Sequence, residues 1–102
     1  MEKMFVQVPD EIQFKDGGIY SKTFFKTEKY NYSLMCLSKG TDIDTHTSTK
    51  DGCVYVLRGR GKFVLCGRDI DLEPGVLINM PADAPHALRA DEDLAFLLCL
   101  HA

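Results

Sequence analysis

The stretch Cys53-Val54-Tyr55-Val56-Leu57-Arg58-Gly59-Arg60-Gly61-Lys62-Phe63-Val64-Leu65-Cys66 reads as two short β-strands around a glycine turn. Valine, leucine, tyrosine and phenylalanine dominate both arms, residue types that suit a pleated, half-buried surface. Between strands expected at 53–57 and 61–66, Arg58-Gly59-Arg60 reads as a tight hairpin with Gly59 supplying positive φ. No helix follows the turn, so its glycines do not form a phosphate cradle. Strand alternation sends residues 52, 54 and 56 to one face and Cys53 and Tyr55 to the other.

The same punctuation runs outward in both directions. Apolar, β-branched and aromatic runs alternate with Gly, Pro and Asp clusters, and predict further strands at 4–8, 19–26, 31–38, 41–45, 68–72, 76–80, 86–90 and 94–101. Glu73-Pro74-Gly75 is a second turn, and the prolines of Met80-Pro81-Ala82-Asp83-Ala84-Pro85 make a third break. Residues 9–15 have room for one helical turn and no more. Many short, evenly spaced strands in 102 residues mean one all-β domain, a sandwich or a barrel.

Composition excludes several classes of function. The chain is 45% hydrophobic and 26% charged, with a formal charge of −3 and no basic run, which argues against a nucleic-acid groove. The longest apolar run, residues 94–100, is strand-sized and cannot span a bilayer as a helix. No signal-peptide pattern opens the chain, and a cytoplasmic protein is expected. Cys36, Cys53, Cys66 and Cys99 show no Cys-x-x-Cys spacing, so they read as reduced packing residues rather than a zinc knuckle or a disulfide framework. The Thr- and Asp-rich segment 41–49 reads as a solvated loop and strand, because it lacks a calcium-loop pattern. The aromatics Tyr20, Phe24, Phe25, Tyr30 and Tyr32 are expected in core or dimer packing.

Two motifs carry a family resemblance. Gly40 is followed after five residues by His46, then by Ser48 and by Tyr55-Val56-Leu57-Arg58-Gly59-Arg60-Gly61. Downstream, Leu72-Glu73-Pro74-Gly75 leads through Met80-Pro81 to Ala84-Pro85-His86-Ala87-Leu88. Residues 40–61 resemble the first cupin motif and residues 72–90 the second, as in small single-domain proteins of the RmlC-like, conserved-barrel type. The resemblance implies a double-stranded β-helix, a jelly-roll barrel, with residues 1–38 forming N-terminal strands used in packing or dimerisation. It also implies a divalent metal, Fe, Mn, Ni or Zn, held by two histidines and an acid or amide from motif one and a histidine from motif two. Carried over by position, His46 and His86 fill two of these four places. Ser48 stands at the second histidine position and Gly52 at the acidic one.

Two imidazoles leave a metal mostly water-coordinated, whereas stable sites use three or four protein ligands. Cys53 could add a thiolate only if a bulge turned it inward. The expected site is therefore a pocket around His46, Ser48 and His86, with a degenerate metal site. His101 reads as a solvated terminal side chain. Three readings of function follow: a small-molecule-binding protein for a sugar-like or acidic metabolite, a metal-dependent enzyme of the uronate-modifying or oxygenase-like kind, or a module acting through dimerisation. The resemblance implies a homodimer. It names no catalytic residue, since one barrel serves many chemistries.

Overall fold

The structure, a computed structural model, describes residues 4–102. One turn of helix, α1 (Val8–Glu11), precedes nine strands: β1 (Ile19–Lys26), β2 (Tyr30–Leu37), β3 (Asp42–His46), β4 (Asp51–Arg58), β5 (Gly61–Leu65), β6 (Arg68–Leu72), β7 (Leu77–Met80), β8 (His86–Ala90) and β9 (Leu94–His101). They form two antiparallel sheets, one ordered β1-β2-β9-β4-β7 and the other β3-β8-β5-β6. This is the expected all-β barrel.

The core lies between the sheets. Leu37, Val54, Val56 and Phe96 from the first sheet meet Phe63, Leu72 and Leu88 from the second, all buried. On β4 the alternation holds as expected: Gly52, Val54 and Val56 are buried, Cys53 is half-buried and Tyr55 is exposed.

The expected hairpin at Gly59 is corrected. β4 pairs with β7 and β9, whereas β5 pairs with β6 and β8, so the Gly59-Arg60 link carries the chain from one sheet to the other. A register shift between Val56 and Arg58 bends β4 into this corner. A short glycine link fits a corner as readily as a hairpin, and the choice lies in long-range pairing. The true hairpins are β1–β2 and β5–β6. The latter turns on Cys66 and Gly67, at φ 50° and 79°, the positive pair that matches the twist of a two-residue turn. Cys66 is consequently an exposed turn residue and not the buried strand thiol expected from its apolar neighbours.

The strand expected at residues 4–8 is also corrected. Met4–Gln7 pair with no strand, and Pro9 falls in the first turn of α1, where its missing N–H costs nothing. Val8 at its start and Ile12 and Phe14 beyond it pack on the outside of the larger sheet, over the buried side chains of Leu34, Cys36 and Ala95. This second apolar layer covers one end of a sheet face that would otherwise meet water.

Candidate functional site

His46 and His86 come together in direct register on β3 and β8, their ring centroids 4.1 Å apart and their planes at 59°. Regular alternation from inward-facing Ile43 would send His46 outward. Between Ile43 and His46, however, β3 carries one residue more than β8 over the same span, a β-bulge. The extra residue puts Asp44 and Thr45 together on the outer face and swings His46 back inside. His86 needs no such device, because it starts β8 immediately after Pro85 and shares its inward face with Leu88 and Ala90.

The loops beneath the two rings are tied to each other. The Asp83 N–H donates to the Ser48 carbonyl at 2.7 Å, and the Ala82 N–H donates to the Asp51 carboxylate at 2.8 Å. Asp83 adopts φ 67°, a left-handed conformation that aspartate tolerates better than most residues. Ser48 does not line the cavity: its hydroxyl accepts from the Lys50 N–H at 3.2 Å. Its place is in the rim that braces the pair.

Both imidazoles are held in the same way. Nδ1 of His46 lies 2.9 Å from the Asp44 carbonyl, and Nδ1 of His86 lies 3.0 Å from the Ala84 carbonyl. A carbonyl oxygen only accepts, so each Nδ1 carries a proton, and in the neutral form of each ring Nε2 is left with its lone pair. Among the described residues neither Nε2 has a hydrogen-bond partner. Phe63 fixes the His86 ring further, stacking parallel to it with centroids 5.8 Å apart. His46 is exposed at the solvent side, whereas His86 is only 6% exposed.

The pair borders a cavity of about 100 Å³ between the sheets. Its remaining walls are apolar, including Met35, Val54, Phe63, Met80 and Leu98. A larger groove of about 470 Å³ lies on the outer face of the smaller sheet. There Lys62 pairs with Asp71 and Arg89 with Asp91. That groove is the more open of the two and mixes polar with apolar walls, and the apolar cavity is the better receptor for a small ligand.

The donor set does not fit a resident metal. Among the described residues no three His, Cys, Asp or Glu side chains converge in metal-binding geometry. Gly52, at the acidic ligand position, faces inward, and its place is filled. A Cβ there would lie 2.8 Å from Leu100 Cδ2, 3.0 Å from the Cys99 carbonyl oxygen and 3.3 Å from Met80 Cε. Cys53 faces outward, where Cys99 stands opposite it. His101 is exposed on that same outer side, its ring 5.6 Å from that of Tyr32.

The sequence matches the cupin domain family over residues 33–100. No curated protein matches it. Among solved structures, a conserved protein of unknown function from Streptococcus pyogenes is 26% identical, with a TM-score of 0.87 over 99% of this chain and 89% of that one. A cupin superfamily protein from Desulfitobacterium hafniense is 17% identical, with a TM-score of 0.88 over 99% and 93%. Salicylate 1,2-dioxygenase from Pseudoaminobacter salicylatoxidans shares the fold at 18% identity and a TM-score of 0.77, over 92% of this chain and 30% of its own. No helix among the described residues is long and apolar enough to cross a membrane. The family match takes in both sequence motifs and all but the first strand, the start of the second and the last residue of the ninth, and the chain belongs to the cupin domain family.

Proposed function

We propose that the protein binds a small, largely apolar molecule bearing a hydrogen-bond donor, seated in the barrel against Nε2 of His46 and His86. The observation that carries this reading is the pair of imidazoles with both Nδ1 atoms committed to backbone carbonyls, bordering a cavity otherwise walled by apolar side chains. A sugar or an acid would bring several polar groups into that cavity and leave most of them unpaired, at about 1–3 kcal/mol each. A volume of about 100 Å³ suits a ligand near benzene in size.

Phenol and benzene, titrated by ligand-observed NMR, test the reading. They differ by one hydroxyl, and a net hydrogen bond of about 0.5–1.5 kcal/mol corresponds to a preference for phenol of about 2- to 12-fold. The His46→Ala/His86→Ala variant should erase that preference and still admit benzene. Equal affinities in the unaltered protein, or a preference that survives the double substitution, would refute it. Near-stoichiometric transition metal in protein purified without chelators, lost on His46→Ala, would instead favour the alternative, a metal-dependent oxygenase-like or uronate-modifying enzyme, which assays on uronates and oxygenase substrates would then have to show.

A cytoplasmic homodimer belongs to the same proposal. Leu77 on edge strand β7 is 65% exposed, and its cross-strand neighbour Tyr55 is 41% exposed. An apolar edge of this kind invites a second copy. Light scattering should report a dimer that Leu77→Lys shifts toward monomer. A monomeric parent protein would remove the dimer from the proposal.

A further inference from the structure

The sheet register brings one pair of nucleophilic side chains together away from the cavity. Cys53 on β4 stands directly opposite Cys99 on β9, and both are half-buried free thiols. Directly opposed residues on antiparallel strands have Cα atoms about 4.5–5.5 Å apart, within the roughly 4.4–6.8 Å that a disulfide spans. Their neighbours Val54 and Leu98 point the other way and line the cavity, so the thiols sit on the outside of the cavity wall. The other two cysteines are placed differently. Cys36 is buried beneath the N-terminal segment, and Cys66 is exposed on the β5–β6 turn in the opposite sheet.

We propose that Cys53 and Cys99 form a reversible dithiol–disulfide couple, oxidised by a low-molecular-weight disulfide. The Cys53 thiolate attacks one sulfur of the oxidant, breaks its S–S bond and releases one thiolate, leaving a mixed disulfide on Cys53. Cys99 then gives its proton to solvent, and its thiolate attacks Cys53 Sγ and expels the second small thiolate. The protein loses two protons and two electrons; the electrons leave on the two small thiols released. Burial first, then the neighbouring Cys53, push the Cys99 thiol up to about 11, so Cys99 ionises less readily than an ordinary thiol. Ring closure therefore speeds up as pH rises toward that value, because the Cys99 thiolate fraction grows.

The test uses Cys66→Ser protein, as purified, in buffers of oxidised and reduced glutathione, followed by alkylation, thiol counting in denaturant and peptide mapping. Three thiols remain in this variant. The count should fall to one without covalent dimers, with a single Cys53–Cys99 linked peptide two hydrogens lighter than its reduced parts. Dithiothreitol should restore three thiols, and Cys53→Ser added to the background should prevent the link. If both cysteines are alkylated in buffers oxidising enough to link the unfolded chain, the couple does not exist. A mixed disulfide that stays on Cys53 without transfer to Cys99 overturns it equally.

Discussion

Replacing Phe63 with alanine is expected to cost about 3–5 kcal/mol, a large share of the roughly 5–15 kcal/mol that holds a domain of this size together. Phe63 is 1% exposed, belongs to the main core and comes from the middle of β5, flanked by β6 and β8. Its ring stacks on His86 and forms part of the cavity wall. Truncation therefore removes apolar burial, leaves a void that the two paired neighbours of β5 keep from collapsing, and releases one face of the imidazole. At about 4–8 °C per kcal/mol, the melting temperature should fall by roughly 12–40 °C. Phe63→Leu keeps most of the volume and should cost less than half as much. Urea denaturation with an unchanged m-value measures both. A loss below about 1 kcal/mol for Phe63→Ala would mean that the ring is not packed as described.

The elements were largely legible in the sequence because their signals are local. The strand expected at 86–90 matches β8, and those at 19–26, 68–72 and 94–101 match β1, β6 and β9. Of the readings that failed, two depended on partners distant in sequence and one on the geometry of a tight turn. Gly59 marks a sharp change of direction, but only the pairing of β4 with β9 and of β5 with β8 shows that the chain changes sheets there. Met4 to Val8 look strand-like, yet no strand edge receives them, and Val8 packs on the sheet's outer face instead. Cys66 follows an apolar run but lies where the β5–β6 turn needs positive φ.

The candidate site shows the same division. His46 and His86 were found through their motif positions, and the structure brings them together. The inward turn of His46 rests on the bulge in β3, which leaves no mark in the residues from Ile43 to His46 themselves. Gly52 read as a missing ligand. Its filled surroundings depend on Leu100 and Met80, from two other strands. Ser48 was assigned to the pocket by position, whereas its hydroxyl turns to the Lys50 N–H. The opposition of Cys53 and Cys99 is a matter of register, and nothing local in either strand announces it.

Gly59→Ala should be the most damaging of the glycine substitutions, at about 4 kcal/mol or more, and Gly75→Ala supplies the comparison. Both glycines hold positive φ, 91° and 95°. Backbone strain of about 1–3 kcal/mol is therefore common to the two variants. A Cβ on Gly75 meets nothing within 4 Å. A Cβ on Gly59 would lie 2.0 Å from the Asp93 carbonyl oxygen and 2.9 Å from the Leu94 Cα. These are backbone atoms at the start of β9, and the Leu94 side chain is fully buried, so they cannot retreat as a flexible side chain would. The corner can accept the methyl only by lifting β4 or β5 from its sheet. Val54 and Phe63, which line the same cavity from those two strands, would separate with it. Chemical denaturation should place Gly75→Ala within about 1–3 kcal/mol of the parent and Gly59→Ala well beyond it. Equal losses would mean that φ strain alone governs both positions, and that the corner at Gly59 is looser than the contact with Asp93 implies.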